Sequence, residues 1–450
     1  EPMSSITERD WTLNSFVPAD PMGDFPIHNL PYGVFSPTPD AAPRVGVAIG
    51  EMVLDLSVLE ARGLLPALPQ ALPSPHAGQP AVAPHGLGIF GQSSLIPFMA
   101  LGRQTWRETR QAIMRLLSAD EPTLRDDPGL RAAALIPRER VSLHLPCEIG
   151  DYTDFYSSRE HATNVGAMFR GRENALMPNW LHLPVAYHGR SSSIVLDGAG
   201  VRRPLGQSRP DENAPPVFGP CRALDFEFEV GHFIGPGNRQ GEPIDIARAE
   251  DHVFGLVLVN DWSARDIQKW EYQPLGPFLA KNFATTISPW VVTLEALDPF
   301  RCPSPKQDPP PLPYLHREEN STFDIHLEAL LQTERLAEPV VICRTNFRHL
   351  YWSIPQQLAH HTVGGCNLRT GDLLASGTIS GPDPGSYGSL LELTSGGKAP
   401  LSLGSGESRA YLQDGDTLIL RGWCERAGLR LGFGEARGRI LPAVGSLTSS

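Results

Sequence analysis

Seven residues near the middle of the chain, Leu224-Asp225-Phe226-Glu227-Phe228-Glu229-Val230, alternate apolar and acidic without a break, a period of two that fits a β-strand and not a helix. Side chains alternate across a strand, so Asp225, Glu227 and Glu229 belong on one face and the four apolar residues on the other. Three like charges in a row repel. Two readings stay open: a half-exposed strand with a solvated acidic face, or two carboxylates sharing one hard cation whose charge offsets their repulsion.

The same grammar recurs downstream. Val253-Phe-Gly-Leu-Val-Leu-Val259, Ser288-Pro-Trp-Val-Val-Thr-Leu294, Phe323-Asp-Ile-His-Leu-Glu-Ala329 and Thr417-Leu-Ile-Leu-Arg421 read as strands, and residues 354–361 as a helix. Glycine and proline, 43 and 44 of the 450 residues, predict many turns between short strands. Upstream, Arg44-Val-Gly-Val-Ala-Ile-Gly50 followed by Met52-Val-Leu-Asp-Leu56 predicts a hairpin turning at Gly50-Glu51, the start of a small barrel. Helical spacing of Phe98, Leu101, Trp106, Ile113, Leu116 and Leu117 predicts one helix over 95–117, ending near Ser118-Ala-Asp-Glu-Pro122. Residues 66–84 and 302–313 read as loops, and 124–146 as a linker strand. The fold class is therefore mainly β with minor α, with residues 1–146 as a small barrel, helix and linker, and 147–450 as a larger β domain.

Charge and cysteine usage narrow the function. The formal net charge of −12 disfavours a general grip on nucleic acid or an anionic membrane. The six cysteines are dispersed without a C-x-x-C pair, so they read as reduced, mostly buried thiols. With no basic stretch followed by an apolar run at the start, and no bilayer-length apolar segment, the expected location is cytoplasmic.

Two further segments carry chemistry. Asn260-Asp261-Trp262-Ser263-Ala264-Arg265-Asp266-Ile267-Gln268 follows an apolar strand. Asp261 can join the carboxylates there, or simply cap a helix; Arg265 and Gln268 would share a helical face. Asp151-Tyr-Thr-Asp-Phe-Tyr-Ser-Ser-Arg-Glu-His-Ala-Thr-Asn164 offers more oxygen ligands and a histidine, His161, which reads as a base or as a satisfied structural residue. Neither Gly364-Gly365 nor the 231–241 stretch has the context of a dinucleotide site, no P-loop is present, adjacent His360 and His361 diverge, and Gly404-Ser-Gly406 does not match a nucleophile elbow.

These strings resemble the fumarylacetoacetase (fumarylacetoacetate hydrolase) family: residues 151–159, His161-Ala-Thr-Asn-Val-Gly166, Pro178-Asn-Trp-Leu-His-Leu-Pro184, Tyr187-His-Gly-Arg190, Asn260-Asp-Trp-Ser-Ala-Arg-Asp266, Trp270-Glu-Tyr272, Pro274-Leu-Gly-Pro277 and Ser376-Gly-Thr-Ile-Ser-Gly381. Asp24-Phe-Pro-Ile27, Asn29-Leu-Pro-Tyr-Gly-Val-Phe35 and Val45-Gly-Val-Ala-Ile-Gly50 extend the likeness into the first third. Residues 1–20, 66–94 and 302–313 match least, and Glu160 stands where glutamine is expected.

The resemblance implies an SH3-like N-terminal barrel, a C-terminal mixed β-sandwich roll and a homodimer. It implies hydrolysis of a carbon–carbon bond in a dicarboxylic β-diketone, with a related acylpyruvate hydrolase, or a non-catalytic scaffold of the same fold, as alternatives. By the same resemblance Asp154, Glu227, Glu229 and Asp261 match Ca2+ ligands, and Asp261, Lys281 and Thr285 match positions around Mg2+. His161 matches the base, Glu392 the acid that orients it, and Arg265, Gln268 and Lys281 the oxyanion group; Tyr156, Arg170, Tyr187, Gln268, Tyr272 and Thr378 match substrate contacts.

Overall fold

Residues 12–68, 71–72, 81–82, 88–318, 321–404 and 406–445 are described by a computed structural model of the chain. Most of the 66–84 loop and Ser405 lie outside the described residues. The hairpin of Arg44–Ile49 and Met52–Asp55 forms as expected, and Tyr32–Ser36 pairs with its first strand. Leu135–Pro137 and Ser142–His144 then add to the two edges, giving a five-stranded antiparallel sheet. The expected 124–146 linker is therefore part of the barrel. Carboxylates of Glu121 and Asp127 cap short helices whose first residues are Pro122 and Pro128, the position where proline is pre-set for a helix.

The expected 95–117 helix is broken in two, Ile96–Met99 and Arg103–Leu117, because Gly102 at φ 83° cannot continue an α-helix. The longer piece stops at Ser118 and buries Trp106, Ile113, Leu116 and Leu117. These residues join Phe98, Phe233, Phe254 and Val257 in one apolar cluster, so the barrel side is welded to the sheet that follows it.

That second sheet is mixed and has eight strands among the described residues. Along its path run Ile194–Leu196, Thr285–Ile287, Val253–Asp261, Phe228–Ile234, Leu373–Ala375, Tyr152–Phe155 and Ala186–Gly189, with Val292–Thr293 also on Val253–Asp261. A third, five-stranded sheet contains Gly200–Arg202, Leu429–Leu441, Thr417–Arg426, His326–Gln332 and Val340–Asn346. Leu256 and Leu258 of one sheet and Leu327, Leu420 and Phe433 of the other share a buried cluster, the filling of a sandwich. In the 288–294 stretch only Val292–Thr293 is strand, since Thr293 caps the helix Leu294–Leu297.

Ile354–Thr362 is helical as expected, whereas the helix Arg159–Arg170 is too polar along its length to stand out from its sequence. The thiols are free, with Cys147, Cys221, Cys343 and Cys424 buried, Cys302 half-buried and Cys366 exposed. No helix among the described residues is long and apolar enough to cross a membrane.

Candidate active site

The acidic string is buried on both faces. Asp225 and Glu229 have no exposed surface and Glu227 has 6%, while Phe226 and Phe228 are equally enclosed. The solvated-face reading therefore fails, and each carboxylate has found its own partners. Leu224–Asp225 pairs with Ser263–Ala264, the chain turns at Phe226-Glu227, and Phe228–Ile234 enters the central sheet.

Antiparallel register then gathers acids from three strands at one end of that sheet. The C-terminal ends of Tyr152–Phe155 and Val253–Asp261 supply Asp154 and Asp261, and Glu227 and Glu229 come from the start of the strand between them. Ligand atoms of Asp154, Glu227, Glu229 and Asp261 all lie within 4.8 Å of one another. Asp261 does not cap a helix; Ala264 holds that position for Arg265–Glu271.

Cationic and hydroxyl groups surround the cluster. Lys281 Nζ donates to Asp261 Oδ2 at 2.6 Å and also to Glu227. Arg265 Nη1 donates to Glu227 at 2.6 Å and to Gln268 Oε1 at 3.1 Å, the i, i+3 pair expected on that helix. The Tyr187 hydroxyl lies 3.0 Å from Asp154 and 2.8 Å from Asp261, and Thr285 is 3.4 Å from Asp261.

Proton affinities split along these contacts. Burial works against ionisation of Glu227, but the charges of Lys281 and Arg265 hold its carboxyl well below the usual range. Asp154 and Glu229 are pushed well above theirs, by burial first and then by the neighbouring carboxylates. Asp154 Oδ1 and Glu229 Oε1 are buried without a hydrogen-bond partner. Orphaned, hard oxygen atoms converging on one point are the donor set of a divalent cation that prefers oxygen, and they fit such an ion.

Beside the cluster, His161 Nδ1 meets Glu392 Oε2 at 2.7 Å, both side chains buried. Burial alone would raise Glu392, yet the charge of His161 and hydrogen bonds from His161, Asn164 and Ser389 keep it below the usual carboxylate value. Ser158 caps the helix bearing His161, and Ser389 caps the short helix Leu390–Leu393 bearing Glu392. His161 is thus more than a satisfied core histidine, because among the described residues its ring hydrogen-bonds through Nδ1 alone.

The remaining expected site residues are distributed as follows. The Tyr156 ring stands edge-on to His161 at 5.3 Å, and Thr378 Oγ1 is buried without a partner. Tyr272 lies across from Phe169, linking the ends of two helices at 6.4 Å. Arg170 instead caps the carbonyls of Asn174 and Ala175 on the surface and makes no contact with the carboxylates, although its charge reaches the Tyr156 hydroxyl.

Four supporting residues escaped the sequence reading. Asn164, Ser380 and Ser389 fill the oxygen atoms of Glu392. The Ser389-x-x-Glu392 spacing, a capping signature, is the signal that could have found the last of these. Asp225 was noted only as a member of the acidic face.

Comparison with known proteins gives the family. Residues 28–146 match the family model described as fumarylacetoacetase N-terminal, and 151–440 match fumarylacetoacetate (FAA) hydrolase C-terminal. The fumarylacetoacetase of Homo sapiens is 55% identical over 430 residues, covering 96% of this chain and 99% of that protein. That of Arabidopsis thaliana is 52% identical over 431 residues, covering 96% and 99%. Among solved structures, a fumarylacetoacetate hydrolase from psychrophilic Exiguobacterium antarcticum shares the fold at 18% identity and a TM-score of 0.50, covering 92% of this chain and 99% of that one.

Proposed function

The chain belongs to the fumarylacetoacetate hydrolase family, and on that premise we propose that it hydrolyses 4-fumarylacetoacetate to fumarate and acetoacetate, the last step of tyrosine and phenylalanine breakdown. The observation that carries this reading is the buried His161–Glu392 pair set beside four convergent carboxylates.

Cleaving a β-diketone with water requires a base, an oxyanion site and help for a carbanion leaving group. Because Nδ1 of His161 is committed to Glu392, Nε2 carries the free lone pair and takes the proton from water; such base assistance is worth about 10²–10⁴-fold. Hydroxide oxygen bonds to the ketone carbon attached to the alkene, which becomes the new carboxyl carbon of fumarate. The bond from that carbon to the central methylene then breaks, and its electron pair leaves as the enolate of acetoacetate, whose carbon takes back the proton held on His161 Nε2.

Arg265 has the donor this needs, since its Nη2 is buried and unpartnered. Gln268 gives its carbonyl oxygen to Arg265, which leaves its amide N–H groups for the substrate. With Lys281 they form the oxyanion group, where one donor is worth roughly 3–4 kcal/mol. A divalent cation, Ca2+ or Mg2+, held by Asp154, Glu227, Glu229 and Asp261, with Thr285 and Lys281 nearby, would offset charge on the diketone and enolate oxygens. Tyr156, Tyr187, Tyr272 and Thr378 would contact the substrate, and Arg170 would supply positive charge for its carboxylates. A homodimer in the cytoplasm belongs to the same reading.

Incubation with fumarylacetoacetate tests it. Loss of the diketone's ultraviolet absorbance should accompany equimolar fumarate and acetoacetate, with kcat/KM above that for acylpyruvates. Failure of both products to appear rejects the reading.

A further inference from the structure

Arg265 and Glu392 lie on separate short helices and do not touch, yet one side chain holds both. Asp225 Oδ2 accepts from Arg265 Nε at 2.8 Å and from the Leu391 amide at 2.9 Å, while Oδ1 accepts from the Leu390 amide at 2.7 Å. Its own neighbour Phe226 donates to Oδ1 at 2.8 Å. All the hydrogen-bonding capacity of a fully buried carboxylate is used, and none of it points at the metal cluster.

We propose that Asp225 is a positioning residue that sets the oxyanion donor Arg265 and the dyad acid Glu392 in one fixed relation. The inference rests on the reaction proposed above and adds to it a residue that neither binds metal nor touches substrate.

The geometry explains why one carboxylate serves both ends. With Nε committed to Asp225 and Nη1 to Glu227 and Gln268, the planar guanidinium has no rotation left. Only Nη2 remains open, so its direction is dictated by Asp225 and Glu227 together. On the other side, Leu390 and Leu391 are the first two residues of the helix in which Glu392 is third. Anchoring their amides anchors the helix start, and with it the carboxylate that faces His161. A shift of about 1 Å at either end is enough to cost on the order of 10²-fold in rate.

Asparagine at this position keeps the volume but replaces one acceptor oxygen with a donor, which must face a peptide N–H or Arg265 Nε. Asp225→Asn should therefore lower kcat by roughly 10–100-fold with KM within threefold of wild type and divalent-ion stoichiometry unchanged.

A double-mutant cycle separates positioning from general weakening of the fold. Because Asp225 acts partly through Glu392 and partly through Arg265, Asp225→Asn should slow the Glu392→Gln enzyme by a factor at least about threefold smaller than the factor by which it slows wild type. Multiplying losses, or a wild-type kcat in Asp225→Asn, overturn the proposal. If Asp225→Asn does not fold, Asp225→Glu, which keeps the charge and displaces both acceptor oxygens, enters the same cycle with Glu392→Gln, and multiplying losses there overturn the proposal. A wild-type protein that releases no fumarate rejects the underlying reaction instead, so the two failures are distinct.

Discussion

His161 and Glu392 stand 231 positions apart in the chain and 2.7 Å apart in the fold, Nδ1 to Oε2. Each is the third residue of a helix whose capping serine accepts its backbone N–H: Ser158 for His161 and Ser389 for Glu392. Two locally capped helix starts thus aim a base and an acid at one another, and the acid's remaining capacity is taken by Asn164, Ser380 and Ser389.

Removing the base should abolish chemistry without dismantling the site. His161→Ala is expected to lose about 10²–10⁴-fold in kcat while retaining its divalent ion, since no atom of His161 belongs to the carboxylate cluster. Glu392→Gln should lose rate through a misdirected imidazole and give KM close to wild type. Steady-state kinetics beside elemental analysis of the purified variants decides both, and substantial turnover by folded His161→Ala rejects it as the base.

The acidic cluster predicts how stability depends on pH once the metal is stripped. Asp154 and Glu229 have folded values raised above their unfolded ones, so the folded chelated protein binds more protons than the unfolded chain. The contribution of these two groups to stability is then greatest at low pH and is lost as pH rises through the raised values. A bound cation removes the penalty, so the gap in Tm between metal-loaded and chelator-treated protein should widen from pH 5 to pH 8. Glu227→Gln, which loses a ligand and the partner of Lys281, should narrow that gap and lower metal stoichiometry. Equal gaps at the two pH values reject the argument.

The alternation in 224–230 made the strand and the acid cluster visible because period two is a backbone property, readable without knowing the neighbours. What it could not reveal is which carboxylate meets which cation. Glu227 with Lys281, and Asp225 with Arg265, are contacts between segments 54 and 40 residues apart. Glu392 was reached only through family resemblance, since Leu390–Leu393 is one turn long and has no periodicity to read. Likewise, Leu135–Pro137 and Ser142–His144 are three residues each, too short to show alternation, and became strands because a sheet edge was waiting for them. Gly102 broke the 95–117 helix through a positive φ, a conformation that apolar spacing does not encode.

Away from the site, His232 predicts a second pH dependence of opposite sign. It is 1% exposed, its Nε2 has no partner, and burial, then the nearby His361, lowers it from 6.5 to about 3. The unfolded chain therefore takes up a proton that the fold refuses between those values, and stability falls as pH drops from about 6.5 towards 3, by ~1.4 kcal/mol per pH unit. His232→Leu should remove that much of the slope in denaturation measured between pH 6.5 and 5. An unchanged slope rejects the assignment.

Gly377 offers a test that joins backbone strain to the metal cluster. Its amide donates to Glu229 Oε2 at 3.0 Å, its φ is 77°, and a Cβ added there would stand 2.2 Å from the Phe155 carbonyl oxygen. Phe155 follows the ligand Asp154 directly, so the backbone cannot retreat without moving one acid or the other. An L-residue at such a φ costs about 1–2 kcal/mol before any clash, and overpacking typically adds about 1–3 kcal/mol. Gly377→Ala should accordingly lower stability by ~2–5 kcal/mol, and the soluble fraction should bind its divalent ion more weakly than wild type because Glu229 has lost a fixed donor. Chemical denaturation and metal titration of the same preparation check the two halves of the argument. A stable Gly377→Ala protein with unaltered metal affinity shows that the carbonyl of Phe155 can move independently of the carboxylates on either side of it.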